Sequence, residues 1–514
     1  MKNKKKKRTV KSILASRMVV VIPALALQIF WIIVLIRWLT PYSAVIGTVL
    51  SALATLFVLY LTSKRDEPSY KILWLIVILA APVLGALLYI FFGNKKTGRP
   101  LKRQLAAARK RMGEPPLQDS RIIEAVEADD LRVSQTMKYT VKMSGFPVYE
   151  NTSAKYYKCG EDLFFDYIDE LKKAQRYIYI EYFIIESGFM WDSILDILTE
   201  KAKNGVDVRV IYDDLGSFGT LPSRYNLELI DSGIKCMKFN PFIISVTGRL
   251  NNRDHRKITV IDGRVAFSGG INLADEYINK VQKFGYWKDI GYKITGPAVN
   301  SFTYMFAEFW NGFSLESIPR KFIEETAPAP EVPDGYILPY YDSPANTYHT
   351  SEVLFAEILA KSEQYAWFYT PYLMMGDELN NAFIRAAERG VDVRIIMPGI
   401  PDKKVIFRIS RSYYRPLIEA GVKIYEYTPG FVHAKACLSD DVTGTVGSVN
   451  LDYRSLYLHF ECNSLFYKAS MLSDLKSDLE ESMSKSREIS LEDTKGNVFH
   501  EMINVVLRLF APLC

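Results

Sequence analysis

The sequence predicts an α/β protein built from two pseudo-symmetric α/β sandwich lobes, preceded by N-terminal transmembrane helices. Three observations carry this. Gly205-Val-Asp-Val-Arg209 returns as Gly390-Val-Asp-Val-Arg394, 185 residues later, and an internal repeat of that length marks a duplicated domain. Strand-like and helix-like segments alternate through both copies, the signature of layered α/β folds. Three apolar runs, 18–36, 44–61 and 72–92, precede the repeat, each near the roughly 20 residues that a membrane-crossing helix needs.

Taken in order, residues 1–17 form a polybasic tail with eight Lys and Arg. The membrane segments occupy 18–93, with Trp31, Trp38, Tyr42, Tyr60, Trp74 and Tyr89 within or near the ends of the runs, as interfacial aromatics are. Residues 94–145 read as a basic linker or interfacial helix, again with eight Lys and Arg up to residue 112, followed by a polar stretch. Lobe 1 is expected over 146–313: a strand at 177–181, an amphipathic helix at 191–204, then a strand at 205–212 after a glycine helix stop. A linker follows at 314–337, marked by Pro319, Pro328, Pro330 and Pro333. Lobe 2, 338–470, repeats the pattern with strands at 365–369 and 390–397 around a helix at 377–389; Leu229–Lys235 and Leu417–Lys423 also correspond. The segment 471–514 reads as helical and charged.

Charge is divided unevenly. Residues 1–112 carry 20 Lys and Arg against two acids, and the remainder carries 44 against 56, so a basic N-terminus of +18 is joined to a body of −12. The basic segments flank the apolar runs, as expected for contact with anionic lipid head groups. The acidic body argues against a nucleic-acid partner, which favours a basic face. Three crossings would put the two basic segments on opposite sides of the membrane, yet the positive-inside rule favours both in the cytoplasm. One apolar segment is thus expected to be re-entrant or interfacial, with the body facing the cytoplasm of a multi-pass membrane protein. The five cysteines are scattered and lack Cys-x-x-Cys spacing, so neither a disulfide framework nor a zinc site is implied.

The chemistry sits in a second repeat. His255, Lys257 and Asp262 precede Gly269-Gly270-Ile271-Asn272; His433, Lys435 and Asp440 precede Gly447-Ser448-Val449-Asn450, with the same internal spacings. Only five histidines occur in the chain and two head these motifs. One neutral imidazole can attack phosphorus and form a covalent intermediate. The other can protonate a leaving alkoxide and then deprotonate an incoming hydroxyl. Lys257, Lys435, Asn272 and Asn450 can hold the non-bridging oxygens as charge builds. The lysines supply the positive charge, so no metal or cofactor is expected, and no His/Asp/Glu cluster with metal spacing accompanies the motifs. Strand alternation puts each His and Lys on one face. Since everything chemically suggestive follows residue 145, a chain truncated near Pro115 is expected to keep a folded two-lobed core.

Taken with Ile180-Glu-Tyr-Phe183, Tyr212-Asp-Asp-Leu-Gly-Ser217, Trp287-Lys-Asp289, Thr370-Pro-Tyr372 and Asn450-Leu-Asp-Tyr-Arg-Ser455, these motifs make the chain resemble the phospholipase D superfamily and, more narrowly, the bacterial cardiolipin synthases. The resemblance covers nearly the whole chain. It departs modestly at Lys288, where Arg is usual, and at His459, where Asn is common. It implies that one phosphatidylglycerol gives its phosphatidyl group to another, forming cardiolipin and glycerol, with anionic membrane lipid as the partner. His255 would be the nucleophile and His433 the general acid and base. Asp262 and Asp440, part of the catalytic motif, would support the strand and loop. Asp289 and Glu461, 34 and 28 residues after the histidines of their own halves, resemble the carboxylates that fix imidazole tautomers. A hydrolytic phospholipase D, or a phosphatidyltransferase with another acceptor alcohol, is the alternative, since all share the chemistry up to the intermediate.

Overall fold

A computed structural model describes residues 26–27, 29–30, 33–34, 43–64, 67–93, 99–241, 251–330, 332, 334–346 and 349–513. The polybasic tail and most of the first apolar run lie outside the described residues. The second run forms helix α1 (Ser43–Ser63). The third does not form one helix. It breaks at Ala81–Pro82 into α2 (Pro68–Ala80) and α3 (Pro82–Phe92), because Pro82 has no N–H to continue the first helix and starts the next one instead. Among the described residues no helix is long and apolar enough to cross a membrane.

Helix α4 (Arg99–Met112) is amphipathic. Leu105, Ala108 and Met112 are buried against the lobes, and the outer face carries exposed Lys102, Arg103, Lys110 and Arg111. It is therefore part of the folded body rather than a free linker. The polar stretch up to residue 145 folds as α5 (Ser120–Asp129) and α6 (Leu131–Ser144), begun by the Asp119 and Asp130 side chains capping backbone N–H groups.

Lobe 1 is a seven-stranded sheet in the order β1-β8-β6-β5-β2-β3-β4. Its strands are β1 (Ser153–Tyr157), β2 (Tyr177–Tyr182), β3 (Asp207–Asp213), β4 (Lys235–Phe239), β5 (Lys257–Ile261), β6 (Val265–Gly269) and β8 (Gly291–Thr295); β7 (Tyr286–Lys288) lies apart. Helices α7 (Gly160–Lys173) and α8 (Phe189–Lys203) cover one face. Helix α9 (Val299–Phe313) covers the other and is buried from Val299 to Asn311.

Lobe 2 is an eight-stranded sheet, β19-β13-β12-β10-β15-β16-β18-β9. It comprises β9 (Tyr336–Asp342), β10 (Tyr365–Tyr369), β12 (Asp392–Pro398), β13 (Lys423–Tyr427), β15 (Ala436–Ser439), β16 (Thr443–Gly447), β18 (Glu461–Tyr467) and β19 (Ser486–Glu488). Two-residue β11 (Leu373–Met374) pairs with β17 (Leu451–Asp452). Helices α10 (Thr350–Lys361), α11 (Asp377–Glu388), α12 (Lys404–Arg411), α13 (Tyr453–Tyr457), α14 (Met471–Ser484) and α15 (Val498–Leu509) complete the body. The C-terminal segment is thus not wholly helical, since β19 adds the edge strand of this sheet.

The equivalent strands keep the duplication in register. Parallel β2–β3 matches β10–β12, and antiparallel β5–β6 matches β15–β16. The central strands β2 and β5 show no period-2 burial: they are buried at every residue, as expected of strands covered on both faces. The two lobes meet where β6 and β8 face β16 and β18, with Tyr292 Oη 2.9 Å from Ser464 Oγ.

Candidate active site

Two crossings between the lobes build the site. The segment before β5 pairs with the segment before β18: the His255 N–H donates to the Phe460 carbonyl at 2.9 Å, and the Phe460 N–H to that of Arg253 at 2.8 Å. Reciprocally, β7 of lobe 1 runs parallel to β14 (Gly430–Val432) of lobe 2, and the His433 N–H donates to the Lys288 carbonyl at 2.7 Å. Each histidine therefore enters the territory of the other lobe.

The carboxylates follow this exchange. His255 Nδ1 lies 2.9 Å from both oxygens of Glu461, and His433 Nδ1 lies 2.6 Å from Asp289 Oδ2. Within each half of the sequence these carboxylates follow the other histidine, so the apparent partnership is swapped in space. Both carboxylates are fully buried, while His255 and His433 keep 6% and 7% exposure, which leaves the imidazoles as the accessible edge of the pair. A carboxylate accepting at Nδ1 holds the proton there and leaves the lone pair on Nε2.

In lobe 1 a glycine makes room for this. A Cβ on Gly270 would fall 2.2 Å from Asp289 Oδ1. At the equivalent position lobe 2 has Ser448, whose hydroxyl donates to Glu461. The lysines curl back: Lys257 Nζ donates to the His255 carbonyl at 2.6 Å, and Lys435 Nζ to that of His433, leaving further donors on each ammonium. Asn272 Nδ2 donates to Tyr277 Oη at 2.7 Å and its Oδ1 accepts from the Ile184 N–H, whereas Asn450 Nδ2 donates to Asp452. The asparagines thus brace the cleft wall, and any role on phosphoryl oxygens would require these bonds to be shared.

Asp262 and Asp440, grouped by motif with the catalytic residues, sit at the far ends of β5 and β15. Asp262 accepts the backbone N–H groups of Gln175, Arg176 and Tyr177 at 2.9, 2.8 and 2.9 Å, and Asp440 those of Glu363, Gln364 and Tyr365 at 2.8, 2.9 and 2.8 Å. Lys257 and Asp262 are five residues apart along a strand, about 16 Å. Both aspartates clamp the start of the neighbouring strand and are remote from the imidazoles.

Burial and the neighbouring lysines hold both histidines down. Burial lowers both histidines, with Lys257 adding to the effect on His255 and Lys435 to that on His433; Asp289 opposes this at His433, which falls to about 4. Burial brings Lys257 down to about 8 and Lys435 to about 7, against the pull of Glu461 and Asp289. Each lysine is felt by the histidine of the other motif, so the two motifs form one site. Burial works to raise Asp289, but His433, Lys435 and the Ile290 N–H outweigh it and hold its carboxyl low. Glu461 is pushed up by burial, against Lys257 and Ser448.

The two half-sites differ in their surroundings. Tyr277, Trp287 and Phe431 ring His433, with centroids 5.4, 5.6 and 6.0 Å away. Phe183 and His459 flank His255 at 4.9 and 5.5 Å. His459 is buried, and both of its ring nitrogens lack a hydrogen-bond partner in the protein. The sequence offers no metal-spaced cluster, but folding creates one: ligand atoms of His255, His459 and Glu461 all lie within 4.8 Å of one another. They come from both lobes, so no spacing could reveal them. His–His–Glu is a zinc-type ligand set, although binding there would take His255 away from its carboxylate. Lys288 lies outside the site and pairs with Asp478 at 2.7 Å. Behind β5, on the opposite face from His255 and Lys257, buried Arg256 pairs with Glu181 and Asp254 and stacks 3.7 Å from the Phe309 ring centroid.

Comparison with known families agrees with this geometry. Residues 167–286 and 355–483 match the family described as cardiolipin synthase, PLD-like domain, and residues 27–94 match the phospholipase D-nuclease N-terminal family. A cardiolipin synthase of Alkalihalophilus pseudofirmus is 32% identical over 92% of this chain and 95% of its own length. The chain belongs to the cardiolipin synthase family. A Streptococcus mutans protein is 42% identical over 89% of the chain and 99% of its own length. Among solved structures, a phosphatidylserine synthase of Haemophilus influenzae superposes with a TM-score of 0.57 at 16% identity, covering 74% of this chain and 98% of that one, which extends the two-lobed family fold across distant sequences. Asp289, Glu461, Ser448, Trp287 and His459 all stand in the sequence motifs or as departures from them; what local spacing missed was the crossing of the carboxylates between the lobes, the placing of Ser448, Trp287 and His459 at the imidazoles, and Tyr277 altogether.

Proposed function

We propose that this chain is a phosphatidyltransferase of the bacterial cell membrane that makes cardiolipin from two phosphatidylglycerols. The reading rests on one observation above all: two imidazoles, each held at Nδ1 by a buried carboxylate of the opposite lobe, share one cleft with two buried lysines. His255 Nε2 attacks phosphorus, the bond to the glycerol head-group oxygen breaks, and His433 delivers the proton to that oxygen. His433 must carry a proton at this step. Asp289 and the negative phosphodiester favour the imidazolium against burial and Lys435. The neutral His433 then takes the proton from a hydroxyl of the second phosphatidylglycerol, whose oxygen displaces His255. Lys257 and Lys435 hold the non-bridging oxygens, so charge stabilisation needs no metal.

Purified protein given labelled phosphatidylglycerol alone in detergent should yield cardiolipin and glycerol in equal amounts. Phosphatidic acid without cardiolipin would identify water as the acceptor and overturn the synthase reading. Membrane residence, with the catalytic body on the cytoplasmic side, follows from the basic segments around the apolar runs and from the lipid nature of both substrates.

A further inference from the structure

The third apolar run has the geometry of a closed hairpin. Helix α2 has 13 residues and α3 has 11, so the arms reach about 20 and 17 Å at 1.5 Å per residue, well short of the roughly 30 Å hydrocarbon core. Its two ends meet, Tyr70 Oη donating to the Gly93 carbonyl at 2.6 Å, and Lys64 Nζ, just after α1, donates to Tyr89 Oη at 2.7 Å. The arms touch at Gly85, where a Cβ would lie 2.6 Å from the Val77 carbonyl oxygen. Tyr70, Trp74, Ile78 and Tyr89 form one buried cluster with Ala54 and Leu61 of α1, which packs on both arms, while Ile72, Ile76, Leu79 and Ile90 point outwards, 46–63% exposed. A helix pair that is apolar inside and out is suited to lipid, not water.

Helix α15 continues this surface. It packs against α2 on one side and α12 on the other. Its inner face is fixed: Leu507 joins the lobe 2 core, Arg508 lies 4.3 Å over the Tyr413 ring, and Asn504 accepts from Arg408 at 3.2 Å. Its outer face presents Met502, Val505, Val506 and Phe510, 44–63% exposed, at helical spacing. Beside it α12 exposes Val405, preceded by exposed Lys403 and Lys404. Lys403 Nζ donates to Tyr372 Oη at 3.2 Å, and Tyr372 packs against Phe431 next to His433. Apolar stripe, lysines and cleft wall thus form one continuous surface.

We propose that the hairpin Pro68–Phe92 and helix α15 together form a platform that enters the near leaflet of an anionic bilayer without crossing it, setting the cleft against the leaflet that supplies its lipid. This deepens the phosphatidyltransferase reading and rests on it for the identity of the substrate. The hairpin is the deep element, α15 lies at the interface as amphipathic helices do, and Lys403 and Lys404 meet the head groups.

The test uses the full-length chain in sealed phosphatidylglycerol vesicles, with Cys159, Cys236 and Cys514 changed to Ser and a fluorophore on Leu79→Cys or Val505→Cys. Quenching by lipids labelled at different depths requires no turnover, so it reads separately from the activity. The Leu79 probe should be quenched best by mid-chain labels and the Val505 probe by shallow ones, with both shielded from a water-soluble quencher. A Val505 probe insensitive to every lipid label would overturn the platform, including the case in which α15 binds a second copy of the chain. A Leu79 probe reachable only from the side opposite the catalytic body would show a crossing and overturn the hairpin's re-entry. Val505→Asp with Val506→Asp should lower turnover on vesicles about tenfold and leave turnover of short-chain lipid in detergent unchanged. Equal losses in both assays would also overturn it.

Discussion

Replacing Asp262 or Asp440 should damage folding far more than chemistry. Each carboxylate accepts three backbone N–H groups at 2.8–2.9 Å. Hydrogen bonds to a charged group are worth roughly 1.5–3 kcal/mol when buried. These are half-open to water, which would take over the freed donors, so about 1 kcal/mol each, or about 3 kcal/mol per aspartate, is the reasonable scale. Both aspartates also sit at left-handed φ, 54° and 51°, where alanine adds about 1 kcal/mol of strain. For a lobe of this size 1 kcal/mol moves Tm by about 2–4 °C. Asp262→Ala is thus expected to lose about 8–16 °C in a fluorescence melt in detergent, and Asp262→Asn, which tolerates the φ and keeps one acceptor, about half as much. Specific activity on short-chain phosphatidylglycerol at 25 °C should stay within about threefold of wild type, because the carboxylate is about 16 Å along the strand from Lys257. A variant with wild-type Tm and activity reduced a hundredfold would refute the argument and return this aspartate to the chemistry.

Four further outcomes are expected. Acid-quenched reactions with labelled lipid should leave the phosphatidyl group on His255, and Asp289→Asn, which removes the charge that favours a protonated His433, should lower kcat by about 10²–10⁴; an adduct on His433 would reverse the roles. The pH profile of kcat/KM should fall on the alkaline side as Lys435 and Lys257 lose their protons near 7 and 8, and on the acid side only where the nucleophile His255 takes up a proton, which burial and Lys257 hold well below the usual imidazole range. The alkaline limb of kcat should lie higher, because bound phosphate favours the ammonium forms; a flat profile from 6 to 9 would contradict the lysine role. Activity should survive EDTA, while added Zn²⁺ should inhibit by occupying His255, His459 and Glu461, with the inhibition weakened in His459→Asn. Finally, a chain starting at residue 99 should fold more stably than one starting at Pro115. The later start strips α4 from α9 and removes Arg109 from buried Glu308 and Tyr341, so the expectation of an intact core after truncation at Pro115 needs the earlier boundary; equal melting points would refute this.

The duplicated fold and the four motif residues His255, Lys257, His433 and Lys435 are legible because each motif is local: a strand sets the spacing and the repeat supplies a control. The carboxylate pairing is not legible. Asp289 and Glu461 can be picked out, but sequence proximity assigns each to its own half, and only the crossing of β7 with β14 and of Asp254 with Phe460 reassigns them. His459 stands out in the sequence as a departure from the family pattern, but its place beside His255 is hidden for the same reason. The hairpin at 72–92 is a different case: the basic flanks ask for one segment that does not cross, but do not say which. Pro82 and Gly85 stand in the middle of the run, and helix-breaking chemistry predicts a turn there, but average hydropathy treats both as minor dilutions of an apolar segment.

Because Glu461 completes His255 and Asp289 completes His433, neither lobe holds a finished imidazole–carboxylate pair. During synthesis, lobe 1 emerges with a histidine whose Nδ1 has no acceptor and a carboxylate with no imidazole, and it stays chemically inert until the second lobe docks. Prematurely terminated chains, or fragments cut in the 314–335 connection, would therefore be harmless to the membrane that holds them. The same arrangement makes the two lobes natural halves for a split protein: co-expressed as separate chains, each would be silent, and activity would report their meeting.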